Sequence, residues 1–303
     1  MRIVSLVPHA TELLFALGLE GQVVGVTHEC DHPPAALEAE RVTRDVLPAG
    51  LRAGEIDAAV RERTLEGEAI YELDREALAE LYPELIVTQA LCPVCAVSYD
   101  EVRALAEELP SHPRVLALDP HTLGETQADV RTLAGATGRE RDGERLVRET
   151  AARSDAVTAA VADEPLVQVA AIEWLEPVYV AGHWTPQMIE LAGGEDVLGR
   201  PGEPSHTVLW EEVQAAQPEV VVVMPCGYDA PRAHAEALEH TDELGALGAR
   251  RVVAVNASAY FSRPGPRLID GLELLAHILH PRRVAQPPIQ AEALAVDTAG
   301  TAA

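Results

Sequence analysis

Short apolar runs alternate with stretches of helical spacing along most of the chain. Ile3 to Val7 reads as a strand, and Ala10 to Leu17 as a helix stopped by Gly18, where a left-handed residue commonly closes a helix. Val23 to Val26 is a second strand, running into the loop that carries His28 and Cys30. Helical spacing recurs over Glu55 to Arg63 and Asp74 to Leu81, and Leu85 to Thr88 is the strand that delivers Cys92 and Cys95. A helix from Asp100 to Leu109, a strand over Val115 to Leu118 and a helix from Leu123 to Ala136 complete one α/β lobe. This alternation implies a parallel sheet.

Arg139 to Ala162 is alanine- and arginine-rich, lacks proline, and sets small or apolar residues at helical intervals, as at Leu146, Thr150, Ser154, Val157 and Val161. It is expected as one continuous helix. A second alternation follows, with strands at Leu166 to Ile172, Val220 to Met224 and Val252 to Val255. Its helices are placed at Gln187 to Leu191, Leu209 to Ala216, Pro231 to Leu238 and Pro266 to Leu279. The fold class is therefore α/β: two Rossmann-like lobes with parallel-rich sheets, bridged by one long helix, with a ligand cleft expected between the lobes. The boundaries drawn are 1–137, a linking helix over 138–163, 164–285, and an aperiodic tail over 286–303 expected to be disordered.

With 303 residues and 48% hydrophobic positions the chain has ample material for two cores. No stretch approaches the roughly 18 apolar residues that argue a membrane span. A net charge of −26, with arginine as the only strong base, argues against nucleic acid and anionic membrane surfaces as partners. Met1-Arg2 is followed by too short an apolar run for a signal peptide, so a cytoplasmic location with reduced thiols is expected.

Four cysteines fall in or near strand exits: Cys30 in His28-Glu-Cys-Asp-His32, Cys92 and Cys95 in Leu91-Cys-Pro-Val-Cys95, and Cys226 in Pro225-Cys-Gly227. None reads as a packing cysteine inside an apolar run. A C-x-x-C pair alone also fits structural and redox roles. Adding Cys30 and Cys226 would complete a tetrahedral thiolate shell for zinc or an iron-sulfur cluster. No catalytic constellation emerges: there is no Gly-x-Ser-x-Gly elbow, Walker loop, His-Glu-x-x-His or G-x-G-x-x-G after the first strand.

Val4-Ser-Leu-Val-Pro-His-Ala-Thr-Glu-Leu13, Asp31-His-Pro-Pro34 and Pro83-Glu-Leu-Ile-Val87 resemble the first lobe of the vitamin B12 and ferric-siderophore binding proteins of ABC importers. In the second lobe Val180-Ala-Gly-His, Ala192-Gly-Gly-Glu195, Trp210-Glu-Glu-Val213, Pro218-Glu-Val-Val221 and Arg263 with Pro266-Arg267 are similar in the same order. The chain thus resembles the helical-backbone class of ABC-importer solute-binding proteins over roughly residues 2 to 281, and within it the signal-less cobalamin-binding proteins. That resemblance implies a protein that holds cobalamin or a related corrinoid or tetrapyrrole without turnover, and hands it to an ABC permease or a corrinoid-handling protein. The alternatives are a four-cysteine zinc or iron-sulfur protein with a sensing or redox role, and a haem or ferric-siderophore binder.

Six of the 11 aromatic residues (3 Trp, 6 Tyr, 2 Phe) cluster in the second lobe: Trp174, Tyr179, Trp184, Tyr228, Tyr260 and Phe261. Flat side chains at loop positions suit a macrocycle face or rim, and equally suit packing between lobes. His28 and His183 are the candidate imidazoles, able to coordinate cobalt or bond a corrin amide, with ordinary surface or supporting roles as the alternative. Glu173 is the one acid expected in the cleft, unless it pairs with Arg263 or Arg267. The Arg263 guanidinium is placed to reach a phosphate or propionamide, or to cap a carboxylate.

Overall fold

In a computed structural model of the chain, residues 1–48, 50–66, 69–90 and 98–298 are described. They form two compact units: Met1–Pro120 with Gly124–Arg148, and His121–Leu123 with Glu149–Ala303.

The first unit runs β1 (Ile3–Ser5), α1 (Pro8–Ala16), β2 (Val23–Val26), β3 (Glu40–Arg41), β4 (Thr43–Asp45), α2 (Ala53–Glu66), β5 (Tyr71–Leu73), α3 (Arg75–Leu81), β6 (Leu85–Gln89), α4 (Tyr99–Glu108), β7 (Arg114–Leu118) and α5 (Leu123–Thr137). Its main sheet has the order β3-β2-β1-β6-β7 and every pairing is parallel. Ile3, Leu85 and Val87 feed a core on one side of this sheet, whereas Val4 and Ile86 feed the core on the other. Successive side chains of a strand point to opposite faces, so a strand covered on both sides must be apolar throughout, as β6 is up to Val87. Helix α1 starts with Pro8 in its first turn, where the missing N–H costs nothing. Asp74 caps α3 by accepting from the Ala77 N–H at 2.9 Å.

α6 (Glu140–Val161) is one uninterrupted helix of 22 residues. After it come β8 (Val167–Leu175), β9 (Val178–Val180), α7 (Thr185–Leu191), β10 (Gly194–Asp196), β11 (His206–Thr207), α8 (Trp210–Ala215), β12 (Val220–Val223), α9 (Ala230–Glu239), α10 (Thr241–Ala246), β13 (Arg251–Val255), α11 (Ala257–Tyr260), α12 (Leu268–Leu279) and β14 (Ala293–Ala295). The seven-stranded sheet has the order β11-β9-β8-β12-β13-β14, with β10 beside β8. The pairings of β8 with β10 and β12, and of β12 with β13, are parallel; β9, β11 and β14 are antiparallel to their neighbours. Among the described residues no helix is long and apolar enough to cross a membrane.

Two expectations are corrected here. The stretch from Gln286 is not an aperiodic tail throughout: β14 pairs with β13, Asn256 bonds Glu292 through backbone (3.0 Å) and side chain (2.9 Å), and Val296 is buried in the core. An alanine-rich strand of three residues carries almost no local signal, because its partner, and not its composition, decides its state. β8 also continues through Leu175 and turns back at Glu176-Pro177 into β9. Glu173 and Trp174 therefore lie within a strand and not beyond its end.

Candidate functional site

Ligands of open α/β sheets sit beyond the carboxyl ends of the strands, where the chain's progress across the sheet reverses direction. In the first unit that reversal falls between β1 and β6. Strand β2, next to β1, exits into Thr27 and the half-buried His28. The Thr43 hydroxyl holds His28, accepting its backbone N–H at 3.1 Å and standing 2.7 Å from Nδ1. Nε2 is an acceptor in the tautomer whose Nδ1–H donates to that hydroxyl, and a donor in the one whose Nδ1 accepts from it. The ring leans on Tyr71 at 5.3 Å, whose hydroxyl donates to Glu29 at 3.2 Å.

Cys30 departs from its expected character. It is 0% exposed within the β1–α1–β2 core, and its sulfur lies 3.1 Å from the hydroxyls of both Thr11 and Thr27. It is a packing cysteine after all, and at this position the structure gives the four-thiolate shell no support. Cys226 is exposed. Cys92 and Cys95, which follow β6, lie outside the described residues. Among the described residues no group of three or more His, Cys, Asp or Glu is disposed to hold a metal ion.

In the second unit the reversal falls between β8 and β12. The Met224 N–H bonds Ile172 O at 2.8 Å and the Cys226 N–H bonds Glu173 O at 3.2 Å, carrying the pairing past the end of β12. Glu173, Trp174, Cys226 and Tyr228 are gathered there. The Glu173 carboxylate accepts the Ser205 hydroxyl. Desolvation raises the Glu173 pKa above the usual carboxylate range, and the Ser205 bond opposes this. Trp174 meets Tyr228 edge to face at 5.5 Å, and the Arg232 guanidinium stands 3.7 Å over the Tyr228 ring. The Trp174 Nε1–H is buried with no hydrogen-bond partner among the described residues.

The turn after β9 is clamped. Gly182 passes so close to the 203–205 backbone that a Cβ would stand 2.4 Å from Glu203 O. His183 follows in the left-handed region (φ 53), its N–H bonded to Glu203 O at 2.6 Å and its carbonyl accepting the Gly202 N–H at 2.8 Å. At the other end of that loop, Asp196 Oδ1 accepts the N–H groups of Leu198 (3.0 Å) and Gly199 (2.7 Å). Burial lifts the Asp196 carboxyl to about 6.

The expected aromatic rim divides in two. Trp184 is 5% exposed and donates Nε1–H to Phe261 O at 2.7 Å, while Phe261 and Tyr228 are each 3% exposed. These three are packing residues of the second unit, correcting the expectation of loop-borne rings facing a ligand. Trp174, His183, Tyr260 and Arg263 are half-buried and keep accessible surface. Arg267 lies 5.7 Å over the Tyr260 ring. Ser205 and Arg232 were not legible beforehand: Ser205 sits in an aperiodic Pro-Gly-Glu-Pro-Ser loop, and Arg232 reads as an ordinary charge on a helix face.

Two units of parallel-rich sheet, with polar and aromatic groups at the strand ends, define the α/β architecture of a solute-binding protein. A family model described as "Periplasmic binding protein" matches residues 3–253, and the chain belongs to that family, whose members bind solutes and are not enzymes. It is 25% identical over 279 residues to the vitamin B12-binding protein of Vibrio cholerae, covering 90% of this chain and 86% of that one. Its fold is shared with a periplasmic heme-binding protein from Pseudomonas aeruginosa (TM-score 0.70, 20% identity, 98% of both chains covered). It is shared too with the crystal structure of the Vibrio cholerae vitamin B12-binding protein (TM-score 0.65, 24% identity, 92% of this chain and 96% of that one).

Proposed function

We propose that the chain binds cobalamin or a closely related corrinoid and holds it without chemical change. The observation that carries this reading is the 25% identity to a vitamin B12-binding protein over 90% of the chain. The side chains fit the ligand's chemistry. A corrin periphery presents neutral amides, and Glu173, whose neutral form burial favours, can donate to an amide carbonyl. A net charge of −26 works against ligands carrying several carboxylates. On this reading Glu173, Trp174, His183, Tyr260 and Arg263 of the second unit meet the ligand, and an ABC permease or a corrinoid-handling protein receives it. A haem-type tetrapyrrole is the second reading, favoured by the fold shared with a heme-binding protein at TM-score 0.70.

The test is titration of the purified protein with hydroxocobalamin and, separately, with haemin, followed by gel filtration. Retention of one equivalent of cobalamin with a changed visible spectrum is the expected result. Retention of haemin alone replaces the first reading by the second, and retention of neither removes both.

A further inference from the structure

We propose that His121 and His183 form a two-imidazole site for a transition-metal dication of the Cu2+, Ni2+ or Zn2+ type. Both belong to the second unit, although His121 arrives from the connection between β7 and α5. The ring centroids are 5.7 Å apart with the planes inclined by 33°. A metal–nitrogen bond is about 2.0–2.1 Å and the half-ring adds about 1 Å, so two imidazoles on one tetrahedral centre hold their centroids roughly 5–5.5 Å apart. The observed centroid separation is close to that spacing.

The placement of both rings is held by specific contacts. Leu123, two residues after His121, is fastened to α7 by its N–H bond to Gln187 Oε1 at 2.9 Å. Between them, the Thr122 methyl packs at the Gly202 turn. His183 keeps a left-handed backbone that residues with a β-carbon seldom adopt. The loop carrying Gly202 and Glu203 enforces it through bonds to both its N–H and its carbonyl. Such strain persists where the surroundings over-determine it, and it concentrates at sites of function. Glycine or asparagine would take this backbone at lower cost, so the turn itself has no need of an imidazole. Trp184, centred 5.6 Å from the His183 ring, supplies an apolar wall. No third His, Cys, Asp or Glu among the described residues completes the set, so the remaining coordination positions fall to water or to a donor atom on a bound solute. Neutral imidazoles with open positions suit borderline dications better than Mg2+ or Ca2+.

His183 is shared with the proposed corrinoid contacts, but the metal pair itself needs no corrinoid, and its test uses Cu2+ alone, so either reading can fail without the other. Electron paramagnetic resonance during a Cu2+ titration should show one equivalent bound with nitrogen hyperfine structure from two imidazoles. His183→Asn keeps a residue suited to the left-handed turn and His121→Gln keeps a polar side chain. Each should weaken binding by at least about tenfold and leave at most one coordinated nitrogen. His234→Gln, on α9 and outside the pair, should bind as the unmodified protein does. Unchanged binding in both pair variants would mean an adventitious ion only and overturn the proposal. Loss in one variant alone would reduce the site to a single imidazole and overturn the pairing. Thermal melts of each variant separate lost ligands from lost folding.

Discussion

Ser205 donates its hydroxyl to the carboxylate of Glu173, joining the loop before β11 to the end of β8 where the second sheet changes direction. Because burial raises the pKa of this acid, its charged form costs folding free energy at neutral pH. The native state holds the proton more tightly than the unfolded chain does, so stability falls as pH rises from the unfolded pKa through the folded one. Glu173→Gln should therefore melt at or above the unmodified protein at pH 8 and lose that advantage at pH 4. Ser205→Ala should be less stable by about 1 kcal/mol at pH 8, since it removes the bond that offsets the desolvation. Denaturant titration at the two pH values checks both.

Asp129 on α5 presents the same physics. Desolvation, then the charges of Asp119 and Glu125, push its carboxyl up to about 7. The protonated form predominates below about 7, so the cost grows between roughly pH 4 and 7 and is complete above that. Asp129→Asn should stabilise the protein at pH 8 by about 1–2 kcal/mol, allowing for solvent screening, and change little at pH 4. Urea unfolding at both pH values measures the difference; equal effects at the two would contradict it.

Gly182 has no room for a methyl group, since a Cβ would stand 2.4 Å from Glu203 O and 2.5 Å from Ser205 N. Gly182→Ala must push the loop carrying Gly202 and Glu203 away, and the expected cost is about 1–3 kcal/mol. Loss of the His183 clamp should appear as faster amide exchange at His183 and Gly202.

The two cysteines of known placement should differ in reactivity. Cys226 is exposed, whereas Cys30 lies at 0% exposure against two threonine hydroxyls. In a Cys92→Ser, Cys95→Ser background, a thiol reagent should label Cys226 in the native protein and Cys30 only after unfolding. Peptide mapping by mass spectrometry reads both. Native labelling of Cys30 would refute its packed position.

Removing residues 290–303 should expose the outer edge of β13 and delete the buried Val296. The expected loss is about 2–4 kcal/mol, with greater aggregation from the bared edge. Light scattering and thermal melts of the shortened chain test this.

Much of the architecture was legible because parallel strands covered on both faces write themselves as apolar runs. Val220 to Val223 and Val23 to Val26 could be read almost to the residue, and the Arg139 to Ala162 helix differs from α6 by one residue at each end. What escaped was non-local. The hairpin through Glu176-Pro177, the pairing of β14 and the Ser205 contact each depend on a partner remote from any local window. The site was legible by residue type more than by disposition. His28 does stand just past the end of β2, but Glu173 and Trp174 fall inside β8, and the same reasoning placed Trp184, Tyr228 and Phe261 on a rim, where the structure packs them inside. An aromatic near a strand end has two possible directions, and sequence spacing does not choose between them.

During synthesis β13 emerges well before its outer neighbour, since residues 293–295 follow it by some forty positions. For that interval its free backbone groups are available to any extended segment nearby. The nascent second unit is thus most open to mispairing in the interval before residues 293–295 are made.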